Sequence, residues 1–303
     1  MTYICAMKIL VTGANGLLGQ HLVKLLVAEG YQVVATGRGD NRLPSSLAAQ
    51  CVYYDIDITD EWAVHELFVK EIPGVVVHAA AMTQVDECQL NQERCEAVNV
   101  KATAQLVLEA EAASGHFIYL STDFVFDGEK GDYSEDDHLN PVSWYGFTKV
   151  QAESIVETSE LPWAIIRTCL VYGDTLQGTR SNIISWVRQS LQEKKSIKVV
   201  SDQWRTPTYV ADLAMGVLLV IRRKAEGIYH ISGRDRLSPY EMALKTAAAA
   251  GLDVSLIERV DAASFKQPAK RPPVTGFDIS KAEKELGYAP ISFDEGLQRL
   301  LNR

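Results

Sequence analysis

Two spacings in this chain carry the elements of a redox site. Tyr145 and Lys149 stand four residues apart in Tyr-Gly-Phe-Thr-Lys, and glycines recur every third residue at Gly13, Gly16 and Gly19. Positions i and i+4 share one face of a helix. A phenol with a pKa of about 10 is a poor acid–base group at neutral pH, and a nearby ammonium favours its phenolate. Ser121-Thr122-Asp123 adds Thr122, whose hydroxyl suits the orientation of a substrate oxygen. Taken alone, a Tyr–Lys pair fits an ordinary surface helix equally well. Its meaning comes from what accompanies it.

The glycines lie between an apolar strand and an apolar helical pattern, the context a dinucleotide loop requires. Gly13 permits a tight turn, Gly16 lets the backbone approach a pyrophosphate, and Gly19 lets the helix pack closely on the sheet. Asn15, Leu17 and Leu18 fall in the same loop and first helical turn. The helix N-terminus offers free N–H groups and a favourable dipole to phosphate. After the second strand an acidic residue is missing and Arg38 is present, which favours a ribose 2′-phosphate and so NADPH over NADH, with NADH as the alternative. Asp57, followed by Ile58, is placed to accept an adenine amino group. Ala79, Ala80 and Ala81 leave room for a cofactor after the fourth strand. His78 reads as a buried, hydrogen-bonded ring rather than a catalyst.

Positioning these groups needs a frame. Apolar strand candidates at 8–11, 32–35, 52–54, 74–78, 117–120 and 163–167 alternate with helical patterns such as 17–28 and 91–112. That rhythm predicts a doubly wound α/β fold with a parallel sheet, in which ligands bind beyond the carboxyl ends of the strands. Residues 1–170 are assigned to this dinucleotide-binding Rossmann domain. Residues 171–303 are assigned mainly to a smaller mixed α/β substrate lobe, with some segments returning to the core. In that part, 181–192 and 210–222 read as helices, 197–200 and 227–231 as strands, and 278–301 as two helical segments broken at Gly-Tyr-Ala-Pro.

Composition narrows the functional classes. The 303 residues are 47% hydrophobic and 23% charged, ordinary for a globular chain. A net charge of −9 argues against nonspecific nucleic-acid binding. Five cysteines, none in CxxC spacing, predict neither a zinc site nor a disulfide framework, and point to a reducing cytoplasm. No metal-ligand cluster, signal peptide or membrane span is expected.

The motifs as a set resemble the extended short-chain dehydrogenase/reductase family. Residues 78–86 (HAAAMTQVD), 98–100 (VNV), 121–128 (STDFVFDG), 167–173 (RTCLVYG) and 207–214 (PTYVADLA) are more closely similar to its dTDP-4-dehydrorhamnose reductase branch. The resemblance spans nearly the whole chain. It implies hydride transfer from NADPH or NADH to a 4-keto sugar on a nucleoside diphosphate, with Thr122, Tyr145 and Lys149 as catalytic triad. Tyr145 would protonate the nascent alkoxide. Asn99 matches the Val-Asn position, where site support and a helix-interior contact are equally good readings. The resemblance also implies a homodimer paired through helices 91–112 and 143–158.

The chain departs from the branch where a sugar or base would stack. Phe124 stands where the relatives carry Tyr, and Leu170 where they carry Trp. Arg205 replaces a small residue, where a bidentate grip on a diphosphate and a salt bridge to the acidic surface are equally good readings, and Arg271, which precedes Pro272-Pro273 as a family Arg-Pro does, is expected to touch the nucleotide. These departures keep two alternatives open: a short-chain reductase of a non-nucleotide carbonyl, and a non-catalytic regulatory subunit of the same fold.

Overall fold

The computed structural model describes residues 7–113, 115–177 and 182–301. Seven strands form its central sheet: β1 (Lys8–Thr12), β2 (Gln32–Gly37), β3 (Val52–Asp55), β4 (Val75–His78), β5 (His116–Thr122), β6 (Trp163–Thr168) and β7 (Gly227–His230). Their order is β7-β6-β5-β4-β1-β2-β3, and every pairing is parallel. The order reverses between β1 and β4, which opens a crevice at the carboxyl edge.

Strand side chains alternate between two apolar layers. Ile9, Val11, Val33, Val75, Val77 and Ile118 face one layer, where they meet α1 (Leu17–Ala28) through Leu22 and Leu26. Leu10, Val34, Val76, Phe117, Tyr119 and Ile165 face the other. That layer is closed by α2 (Ala102–Ala112) and α3 (Trp144–Glu157), through Leu106, Ala110, Ala152 and Val156. A strand covered on both faces is a near-continuous apolar run, as the sequence shows. Helix α4 (Val210–Arg223) joins the first layer with Leu213, Val217 and Leu218, so this late segment covers the same sheet as α1.

The predicted single helix over 91–112 is interrupted. It is a short helix Gln92–Glu96, a π-helical turn Ala97–Lys101, and then α2. Asn99 accounts for the widened turn: its side chain accepts from Met82 N (2.8 Å) and donates to Met82 O (3.1 Å). Such turns recur where a helix must present a particular group. The helix Pro239–Ala249 was absent from the sequence reading. Its signal was the capping box of Ser238 and Glu241 with proline at the first helical position. It packs with Ile183–Gln192 over a small parallel pair, Ile197–Val200 beside Ile257–Val260. Ser181, the predicted start of that partner helix, lies outside the described residues.

The ion pair of Arg167 with Glu153 is fully buried behind the carboxyl edge. Arg167 donates to Glu153 (Nη2–Oε2 2.8 Å), and Glu153 also accepts from Ser121. Both charged residues are about 1% exposed. Removing one partner of such a pair strands the other charge in a low dielectric. Arg167→Met is expected to lower stability by about 3–5 kcal/mol, read as a reduced urea midpoint at unchanged m-value. A loss below about 1 kcal/mol would mean that Glu153 escapes to water.

Candidate active site

The glycine loop approaches β4 so closely that side chains are excluded. Gly13 has φ +71°, and a Cβ there would sit 2.8 Å from Ala80 N. A Cβ on Gly19 would lie 2.3 Å from Gly13 O. Gly16 is the N-cap of α1 and brings no capping side chain, so the first-turn N–H groups stay open for an anion. This uncapped, Cβ-free cradle fits the pyrophosphate of a dinucleotide.

Two cavities meet on the cradle, sharing Gly13, Gly16, Ala79, Ala81 and Thr83. The first, about 510 Å³, is walled by Arg38, Asp57, Ile58 and Ala80. The Arg38 guanidinium is mostly exposed and lies 3.7 Å from Asp57. Burial raises the Asp57 pKa, but hydrogen bonds from Thr59 and the charges of Arg38 and Arg94 bring it below its ordinary value. Asp57 is therefore an ionised acceptor at neutral pH. Arg94 also lines this cavity, a position that a lone helical arginine does not signal in sequence. Asn15 lines the cavity, yet its side chain ties the loop to the β2 exit. It donates to Tyr53 Oη (2.8 Å) and accepts from Arg42 N (2.9 Å).

The second cavity, about 420 Å³, collects Leu17, Leu18, Thr122, Phe124, Tyr145, Lys149, Leu170 and Arg205. Tyr145 sits at the start of α3, capped by Ser143. Its neighbour Gly146 permits the approach, since a Cβ there would stand 2.1 Å from Phe124 O. Tyr145 and Thr122 are hydrogen-bonded, and the Phe124 ring meets the Tyr145 ring edge-on at 5.8 Å. Leu170 holds a left-handed φ of +37°, uncommon for a branched side chain, and turns part of its surface to the cavity.

The electrostatics reverse one expectation. Burial pushes the Tyr145 phenol well above its ordinary pKa, and the Thr122 hydrogen bond only partly offsets this. No depression by Lys149 is present. Instead burial pulls Lys149 itself down to about 7, against the raising charge of Glu153. Lys149 donates to Leu120 O at 2.7 Å.

The polar groups around this pair form a closed network. Thr148 Oγ1 donates to Tyr145 O (2.8 Å) and accepts from Asn99 Nδ2 (3.2 Å), so Asn99 braces the tyrosine helix against Met82. His78 is buried, and burial, then the charge of Lys149, lowers its pKa to about 3. Its ring links Thr12 (2.8 Å) and Thr103 (3.0 Å), while Thr103 donates to Asn99 O. The neutral structural ring expected from the sequence is what stands there.

The two arginines placed among the substrate-binding residues are engaged elsewhere. Arg205 is buried and donates to the carbonyls of Trp204 (2.7 Å), Pro272 (2.7 Å) and Pro273 (3.0 Å). A free bidentate fork does not fit this arrangement. Arg271 lines a separate hollow and grips Asp86 with both terminal nitrogens, at 3.1 and 2.8 Å. Asp123, which the sequence reading left without a role, is buried between Thr122 Oγ1 (3.1 Å), Thr275 and the Arg205 guanidinium.

Residues 7–303 match the RmlD substrate binding domain family. The chain belongs to that family. Its sheet and loop motifs make it an extended short-chain dehydrogenase/reductase, a class of NAD(P)-dependent oxidoreductases. It is 31% identical to a dTDP-4-dehydrorhamnose reductase of Aggregatibacter actinomycetemcomitans, over 97% of this chain and 98% of that protein. It is also 31% identical to methionine adenosyltransferase 2 subunit beta of Bos taurus, over 91% of this chain and 81% of that protein. Among solved structures, dTDP-4-dehydrorhamnose reductase of Bacillus anthracis in complex with NADP superposes with a TM-score of 0.86 at 27% identity, covering 98% and 99% of the two chains.

The depressed Lys149 pKa makes stability depend on pH. An unfolded lysine titrates near about 10.4. Between about 7 and that value the unfolded chain holds a proton that the folded chain has lost. Stability therefore rises with pH across the window, and the full cost is present below it. Relative to Lys149→Met, the wild type is expected to gain stability from pH 6.5 to pH 9.5 in urea titrations. A constant difference would place the lysine in contact with water.

Proposed function

We propose that the protein is an NAD(P)H-dependent reductase of a 4-keto sugar carried on a nucleoside diphosphate, dTDP-4-dehydrorhamnose or a close analogue. The observation that carries this reading is the meeting of Thr122, Tyr145 and Lys149 on one wall of a cavity that runs on to the glycine cradle. A reduced nicotinamide held along the glycine cradle would supply a hydride to the carbonyl carbon. Thr122 orients the carbonyl oxygen. The high phenol pKa keeps the Tyr145 proton in place until an alkoxide, a stronger base, takes it. Lys149, charged, stabilises the phenolate left behind. Asn99 holds the tyrosine helix at the right distance.

NADPH is the preferred cofactor in this reading, because Arg38 lies at the ribose end with no acid of its own strand beside it. Pairing of two copies through helices 91–112 and 143–158 completes the proposal, with Leu108 and Phe147 exposed there. No described helix is long and apolar enough to cross a membrane.

A second reading, reduction of a carbonyl without a nucleotide, is favoured by the engagement of Arg205 and Arg271 with the protein itself. NADPH oxidation with dTDP-4-dehydrorhamnose, set against simple ketones, decides between them. Activity confined to the ketones would overturn the nucleotide-sugar assignment. With the active substrate, Tyr145→Phe is expected to lower kcat by about 10²–10⁴ while NADPH still binds. Unchanged turnover would remove the tyrosine from the chemistry. Arg38→Ala is expected to weaken NADPH by about tenfold and leave NADH unaffected in fluorescence titrations. An equal loss for both cofactors would separate Arg38 from the 2′-phosphate.

A further inference from the structure

The Lys149 ammonium is almost wholly out of water, and its seat is unusual. One N–H is spent on Leu120 O at 2.7 Å. Its acidic neighbour, Glu153 on the next turn of α3, is already shared by Arg167 and Ser121. Cys88 and Cys95, from the segment packed against α3, exert only weak raising influences, and His78 on β4 is held neutral. What remains is the face of Tyr119, whose ring centroid lies 4.0 Å from the lysine nitrogen. Tyr119 is 1% exposed and Lys149 2%. The ring is itself fixed against His78 at 5.6 Å.

We propose that Tyr119 is a positioning residue for the reduction: its ring face seats the Lys149 ammonium, favours its charged form over the neutral one and fixes it in the cavity wall that also carries Tyr145. The proposal rests on the reading of Lys149 as the partner of Tyr145. The electrostatic logic is simple. Desolvation drives the lysine toward its neutral form, and an aromatic face attracts only the charged form. A desolvated cation–π contact is strong enough to move a proton equilibrium by about tenfold or more. Without the ring, the lysine would lose its proton at a lower pH and the phenolate would lose its counter-charge.

Tyr119 precedes the Ser-Thr-Asp motif by two residues and points to the same layer as Phe117, so it reads as one more apolar strand position. Its neighbourhood exists only once α3 lies across β5.

The test is a double-mutant cycle read at two pH values. Tyr119→Met, which keeps bulk without a π face, and Tyr119→Phe, which keeps the face, are each combined with Lys149→Met in the full chain. At pH 6 the Tyr119→Met cycle is expected to show a coupling of about tenfold in the unfolding constant. At pH 9.5, with the lysine neutral, the coupling is expected to vanish, and Tyr119→Phe is expected to retain it at pH 6. Coupling that is absent, or equal at both pH values, overturns the proposal. If Tyr119→Met does not fold, ring-fluorinated phenylalanines at position 119 weaken the face stepwise at constant shape, and pH 6 coupling that fails to fall with fluorination overturns it equally. In turnover, the alkaline limb of kcat for Tyr119→Met is expected about one pH unit lower, with substrate KM unchanged and Tyr119→Phe restoring the limb. An unmoved limb overturns the proposal. If the wild type reduces no carbonyl at all, the reductase reading fails, while the folding cycle still reports on the seat.

Discussion

A single cation buried in a low dielectric sets the demands that the carboxyl edge of this sheet has to meet. Isolated, an ammonium of this kind costs several kcal/mol or discharges. Lys149 is held instead among a carbonyl, an aromatic face and the carboxylate of Glu153. Glu153 in turn would be an unpaired buried acid without Arg167. Arg167 closes the chain by donating to Glu135 O and lying over the Phe126 ring. Each group is tolerated because the next one is present, and the chain runs from the cavity wall through β5, α3 and β6. The network fixes geometry more than it adds stability, as buried ionic groups commonly do when hydrophobic replacement is the alternative.

The second constraint is contact distance. The cradle works only if backbone meets backbone at Gly13 and Ala80, and the site wall only if α3 meets the Phe124 carbonyl at Gly146. The first approach joins the segments that follow β1 and β4 across the crevice, and the second lies just beyond β5. Thr12 connects them chemically: its hydroxyl accepts from Ala80 N at 3.1 Å and reaches His78 at 2.8 Å, and His78 leads on through Thr103 to Asn99 and the tyrosine helix.

Much of this was legible in the sequence, and the reason is local. The glycine spacing, the apolar strands and the Tyr–Lys pair each encode geometry within a few residues, and the parallel sheet converts strand ends into one edge. What was not legible is long-range. Asn99 reads as a helical residue until Met82, seventeen positions away, claims its amide and widens the turn. The lysine's effect on the tyrosine was inferred from spacing alone. Burial, which spacing does not report, dominates both groups and moves them in opposite directions. Tyr119, Glu153 and Asp123 look like filler until three separate segments converge on them.

Arg205 and Arg271 show how two similar residues part company once packed. Both carry the guanidinium that suits a diphosphate, and both are engaged. Arg205 is surrounded by three carbonyls and sits within 3.7 Å of Asp123, with almost no surface in water. Withdrawing it would leave buried acceptors unpaired at about 1–3 kcal/mol each, so its position is fixed and its role is to shape the wall under Phe124, whose ring it faces at 5.8 Å. Arg271 is different. Its fork rests on Asp86, a partly exposed pair of a kind worth about 1 kcal/mol or less. An incoming phosphate offers the same two-point geometry with more charge, so the exchange is affordable at Arg271 and prohibitive at Arg205. If a diphosphate is held by arginine in this chain, the energetics assign it to the segment that also carries Pro272 and Pro273, and the release of Asp86 at the start of its helix becomes part of the binding step.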